Sequence, residues 1–187
     1  AGTILAFSEA RRSGDGVPAE DVRCEEVTSD RARKRSEDLG ATWSATTLLE
    51  QADGRFWAAA GRPGKLECWS QLCPVADLRS GRLFVFYVLN EGAHEAKNLQ
   101  RFSRVFVRES DDDGRAWSRR REVTGIFAGG SGALSVEGFA ADDLGRAFHI
   151  CIGHGLQLSS GRLIAPFWGR RSLAHPPADR GYGIELV

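Results

Sequence analysis

An eight-residue pattern occurs twice in this chain and constrains the fold more than any other feature. Ser36-Glu37-Asp38-Leu39-Gly40-Ala41-Thr42-Trp43 is echoed by Ser110-Asp111-Asp112-Asp113-Gly114-Arg115-Ala116-Trp117. Each copy reads as a β-hairpin turn. The Asp carboxylate accepts backbone N–H groups, and Gly supplies the positive φ that a tight turn demands. The Trp is expected to carry a large apolar surface into a core. A second repeat supports the first. Gly2, Gly81 and Gly161 recur about every 80 residues, each followed by a short apolar run: Ile4–Phe7, Leu83–Phe86 and Leu163–Phe167. Such runs read as buried strands.

Repeats of short strands and turns predict a radial or stacked all-β architecture, most often a propeller. A unit of this length exceeds the roughly 40–50 residues of common blades, so each unit must carry long loops. Long loops on a rigid β scaffold are where binding and chemistry sit. The period predicts a third turn motif just past Val187, with Gly183–Val187 as the strand leading to it, so the chain is expected to stop inside a repeat. It contains no Met, and residue 1 is therefore not read as a translation start.

Composition narrows the choice only slightly. With 187 residues and 42% hydrophobic content, one domain can bury a sizeable core, and ten Phe and five Trp supply large fillers. A formal net charge of zero argues against a general nucleic-acid or membrane-surface binder. No apolar run reaches transmembrane length. Cys24, Cys68, Cys73 and Cys151 form no Cys-x-x-Cys pair and have no His at zinc-ligand spacing, so no metal site is expected. Buried thiols in strands are the simpler expectation, with a Cys68–Cys73 bridge as the alternative. Ser29-Asp30-Arg31-Ala32-Arg33-Lys34-Arg35 stands where an apolar strand is expected. As a basic patch it offers phosphate contacts, but a solvated edge strand is the simpler account. The Gly-rich stretch 127–134 reads as a loop, and 141–148 as a worn, out-of-step copy of the turn motif.

The duplicated turns resemble the Asp boxes of the sialidase superfamily. Three further segments resemble that family in the same order. Gly2–Arg11 is similar to a strand ending in Glu-x-Arg. Cys73-Pro74-Val75 with Ser80–Phe86 is similar to the Asn-Pro-Cys-Pro-Val segment and its following strand. Gly153-His154-Gly155-Leu156-Gln157-Leu158 with Ser160–Ile164 is similar to the Gly-Pro-Gly-His-Gly-Ile-Gln-Leu segment. The resemblance implies a six-bladed β-propeller, of which residues 1–187 form a single incomplete domain, roughly the first half. It also implies exo-α-sialidase activity on terminal sialic acid, without a cofactor, and a secreted or periplasmic setting.

In that family a Tyr serves as nucleophile in place of a second carboxylate. Three Arg residues hold the substrate carboxylate, and an Asp acts as general acid and then base. The resemblance assigns the acid/base role to Asp15, on the loop Ser13-Gly14-Asp15-Gly16; Asp21 is the second candidate because the loop is one residue short. Without the family context Asp15 reads as a turn cap. Arg11 corresponds to an Arg lining the sialic acid pocket, and Glu9 to the residue that orients it. His154 between two glycines is read as filling a tight turn. Gln71-Leu72 replaces the family's Asn-Pro, and Ile152 replaces a Pro. Tyr87 and Tyr182 do not fit the nucleophile's setting. The remaining machinery is expected outside this stretch, which is therefore expected to be inactive alone. The alternative reading is a non-catalytic sialidase-like propeller that binds carbohydrate or a protein partner.

Overall fold

A computed structural model of the chain describes residues 2–12, 28–64, 67–91, 103–124, 148–150, 153–170 and 182–186. Their regular secondary structure is almost wholly β. The first group of strands is β1 (Ile4–Arg12), β2 (Thr28–Ser36) and β3 (Thr47–Glu50), joined antiparallel in the order β1-β2-β3. The second is a four-strand antiparallel meander of β4 (Glu67–Ala76), β5 (Leu83–Glu91), β6 (Ser103–Ser110) and β7 (Arg121–Glu122). A single parallel bridge, Ser29 to Cys68, links the two groups. The third group pairs β8 (Phe148–Ile150), β11 (Pro166–Arg170) and β12 (Tyr182–Leu186), and β9 (Leu156–Gln157) with β10 (Leu163–Ile164) forms a separate hairpin. Among the described residues no helix is long and apolar enough to cross a membrane.

The run Phe84–Leu89 is apolar at every position because β5 is covered on both faces. Phe84, Phe86 and Val88 point into one cluster, with Val105, Val107 and Phe167. Val85, Tyr87 and Leu89 point into the other, with Leu49, Trp57, Trp69 and Phe106. A strand alternates sides at each residue, so two buried faces require a continuous apolar sequence. In β4 a bulge at Gln71 inserts one extra residue between Ser70 and Leu72. Trp69 before it faces the second cluster, while Cys73 and Val75 after it face the first. One inserted residue has exchanged the two faces of the strand.

Both duplicated turns close the same way. Ser36 Oγ donates to Asp38 (2.7 Å) and accepts the Gly40 N–H (2.8 Å), while Asp38 accepts the Thr42 N–H (2.8 Å). Ser110, Asp112, Gly114 and Ala116 repeat these bonds at 2.8, 2.9 and 2.9 Å. Gly40 (φ 93°) and Gly114 (φ 74°) occupy the left-handed position. The two Trp residues diverge. Trp117 packs edge-on against Phe7 of β1 at 6.0 Å, as expected. Trp43 is 41% exposed, contrary to the expectation of a core residue. The motif only aims the ring; burial comes from a neighbouring group of strands, and Phe7 supplies it for Trp117.

The charged segment 29–35 is not a solvated edge. It forms β2, which pairs with β1, β3 and β4, and Asp30, Arg31 and Ala32 are buried. Its charges are accommodated by specific partners. Arg33 donates to the carbonyls of Gly114 (2.7 Å) and Arg115 (3.0 Å), and Arg35 to that of Asp113 (3.0 Å), all in the second turn motif. Asp30 accepts the Ala52 N–H at 2.7 Å.

Cys68 and Cys73 are buried thiols and are not bridged to each other. Cys24, Cys151, the Gly-rich stretch 127–134 and residues 141–147 lie outside the described residues. A short helix, α1 (Arg55–Ala59), was not legible in the sequence. Its Phe56 N–H donates to the buried Glu67 carboxylate at 2.6 Å, and Trp57 anchors it in the core.

Candidate functional site

The hairpin registers sort the connections by sheet end. The β1–β2 and β5–β6 connections leave from one end, past the pairs Arg12–Thr28 and Asn90–Ser103. Both Asp-box turns close the opposite end, beside the Ile4–Ser36 and Leu83–Ser110 pairs. Glu9 and Arg11 stand near the loop end of β1, opposite Arg31 and Ser29.

Glu9 is the best-defined member of this constellation. Its carboxylate lies 3.2 Å from Arg31 Nη2, and it accepts the backbone N–H of Gln71 at 2.8 Å. Three strands therefore meet at one side chain. The expectation that Glu9 orients Arg11 lies outside what is described, because the Arg11 side chain, like Asp15 and Asp21, falls outside the described residues; only the Arg11 backbone, paired with Ser29, is placed. Gln71, where the family pattern has Asn, sits in the left-handed region (φ 44°) at the β4 bulge.

Tyr87 is no nucleophile in this setting. Its hydroxyl donates to the buried Glu50 carboxylate at 2.5 Å, and burial, reinforced by the Glu50 charge, pushes the phenol well above its ordinary pKa. Glu50 is also held by Arg108 (2.7 Å) and Arg120 (2.9 Å). Sequence reasoning missed this cluster. Its one signal was a lone charge ending the apolar run Thr47-Leu48-Leu49.

The Gly-His-Gly segment leads into the β9–β10 hairpin, as expected, with His154 exposed and its Nδ1 3.0 Å from the Gly155 carbonyl. That hairpin docks on the Cys-Pro-Val strand. Gly155 N–H donates to Pro74 O at 2.8 Å. Gln157 donates to Asp77 (2.6 Å) and accepts the Leu78 N–H (2.9 Å), and Arg79 donates to Ser159 O (2.8 Å). A groove of about 330 Å3, lined by Leu5, Phe7, Val75, Phe84, Trp117 and His154 among others, lies on the Asp-box side of the strands and not beside Arg11.

No protein-family model matches the chain. It is 29% identical to mouse sialidase-3 over 169 residues, covering 88% of this chain and 34% of that protein. It is likewise 29% identical to mouse sialidase-4 over 171 residues, covering 88% and 30%. The chain thus spans about a third of the length of the curated relatives it matches. Among solved structures, the Hadza microbial sialidase Hz136 superposes with a TM-score of 0.67 at 17% identity, covering 98% of this chain and 32% of that one. A leech intramolecular trans-sialidase gives 0.60 at 14% identity, covering 100% and 41%. Trypanosoma rangeli sialidase in complex with the inhibitor DANA gives 0.59 at 16%, covering 99% and 26%.

Proposed function

We propose that this chain is a member of the sialidase superfamily and forms part of the catalytic domain of an exo-α-sialidase. The full-length protein would be a retaining glycoside hydrolase that releases terminal sialic acid from glycoconjugates, built as a six-bladed propeller. The observation that carries this reading is the placement of Glu9-Ala10-Arg11 at the sheet end away from both Asp boxes, where the long connections leave.

In the proposed mechanism Arg11 contacts the sugar, its guanidinium offering a planar fork of donors. Asp15, on the loop that follows β1, protonates the glycosidic oxygen and then takes a proton from water. Such a group contributes typically 10²–10⁴-fold in rate. A Tyr nucleophile suits this substrate because its anomeric carbon carries a carboxylate, and a neutral hydroxyl avoids repulsion between two anions. Tyr87 does not fill that role, and the family resemblance assigns the nucleophile, its Glu partner and the carboxylate-binding Arg residues to the rest of the protein. This stretch alone is accordingly inactive.

The test uses full-length protein and a fluorogenic sialoside. Turnover that drops at least about 100-fold in Asp15→Ala, but not in Asp21→Ala, supports the reading. Sugar binding without turnover in the wild type refutes it and favours a carbohydrate-binding propeller.

A further inference from the structure

Arg31 occupies a position that the fold itself fills with an apolar residue. It stands five residues before Ser36, as Val105 stands five before Ser110. Val105 is buried in the apolar cluster of the meander. Arg31 is equally enclosed, with 0% of its side chain exposed, but it carries a guanidinium. Enclosing a charge is costly, and replacing both members of a buried ion pair by well-packed apolar side chains is often neutral or stabilising. Folding alone therefore does not require an arginine here.

What the arginine adds is direction. It holds Glu9, whose side chain stays 21% exposed, and Glu9 in turn accepts the Gln71 N–H. A charge-assisted contact fixes distance and angle more tightly than apolar packing does. Gln71 is a non-glycine residue at φ 44° in a bulge, a conformation that persists only where its surroundings hold it. The bond to Glu9 is one such restraint.

We propose that Arg31 is a positioning residue: through Glu9 it fixes both the end of β1 that carries Arg11 and the Gln71 bulge of β4 beside it. The proposal rests on the sialidase reading of Arg11 and adds to that reading the buried strut behind it. Because the group so held is a substrate contact, loosening it raises KM more than it lowers kcat.

Full-length Arg31→Val, which copies the second unit, and Arg31→Lys, which keeps the charge without the fork, provide the test. In Arg31→Val, kcat/KM on a fluorogenic sialoside is expected to fall at least about 10-fold, mostly through KM, and Arg31→Lys to restore part of it. Backbone hydrogen exchange in residues 5–12 is expected to quicken at least about 10-fold, while the turn at residues 36–43 is unchanged. Unaltered KM and unaltered exchange at residues 5–12 in a folded variant overturn the proposal, as does a uniform rise across the whole sheet. Should Arg31→Val not fold, the same two readouts on Arg31→Lys decide. A wild type without turnover defeats the sialidase reading, and the exchange measurement still judges Arg31.

Discussion

Gly155→Ala probes one of the contacts that dock the β9–β10 hairpin on the meander. Gly155 needs no left-handed backbone, so the substitution acts through space alone. A Cβ there would stand 2.3 Å from the carbonyl oxygen of Ile164 and 2.5 Å from Val75 Cγ2. The carbonyl belongs to β10, the partner of β9, and cannot step aside as a flexible side chain could. Overpacking of this kind costs about 1–3 kcal/mol. Relieving it moves Gly155 off β4 and breaks its 2.8 Å bond to Pro74 O, a further loss of about 1 kcal/mol. The sum, about 2–4 kcal/mol, corresponds to opening of the β9–β10 hairpin roughly 30- to 1,000-fold more often. Hydrogen exchange on the full-length variant, followed in peptides covering residues 153–165 and 72–80, reads that opening directly. Gly64→Ala is the control: its φ is 83° and a Cβ added there would meet nothing within 4 Å, so it bears only the backbone penalty of about 1–2 kcal/mol, locally. If Gly155→Ala exchanges like the wild type at both peptides, the hairpin is not docked through this glycine and the reasoning fails.

Acid sensitivity follows from two turn carboxylates. The Thr42 hydroxyl, then the Thr42 N–H and Ser36, hold Asp38 down to about 2; Ser80, then the Arg79 N–H and Gln157, do the same for Asp77. Depressed native values mean that their contribution to stability is complete above the unfolded value near 4 and is lost as pH falls towards 2. Unfolding midpoints measured across that window should fall for the wild type and flatten in Asp38→Asn and Asp77→Asn; parallel curves would contradict this. In the Glu50 cluster, Tyr87→Phe removes one bond to a carboxylate still held by two arginines, a loss of about 1.5–3 kcal/mol. Glu50→Ala strands Arg108 and Arg120 and should cost about 3–5 kcal/mol in urea unfolding. The reverse order would show that the phenol, not the charge balance, holds the cluster.

Legibility in the sequence tracked the range of the interactions. The Asp boxes were readable because Ser36–Asp38 and Asp38–Thr42 are local bonds that residue types at fixed spacing reveal. Strand β5 was readable because two buried faces leave an unbroken apolar run. Strand β2 was misread because Arg33 and Arg35 meet backbone carbonyls about 80 residues away, and carbonyls leave no mark in a sequence. The fate of Trp43 was misread for a related reason: the same motif buries its indole only where another group of strands presents a Phe7. At the candidate site, Arg11 and Asp15 came from resemblance, whereas the Glu9–Arg31–Gln71 junction needed the register of three strands to bring it together.

The seams between groups of strands carry directional polar contacts beside the apolar ones that Leu49 and Phe167 make with the meander. Arg33 and Arg35 grip the second Asp box from the first group, and Glu50 crosses from β3 to Arg108 of β6. Asp77 with Gln157, and Arg79 with the Ser159 carbonyl, bind the β9–β10 hairpin to the β4–β5 turn. Apolar cores tolerate exchanges of similar volume and so leave relative rotation loosely set. Directional bonds between guanidinium groups and fixed carbonyls do not tolerate such drift. A site whose residues come from several strand groups depends on that difference, since a misplacement near 1 Å costs about 100-fold in rate. The arginine-rich β2, unusual as a strand sequence, is therefore best understood as the part that sets one group's angle against the next.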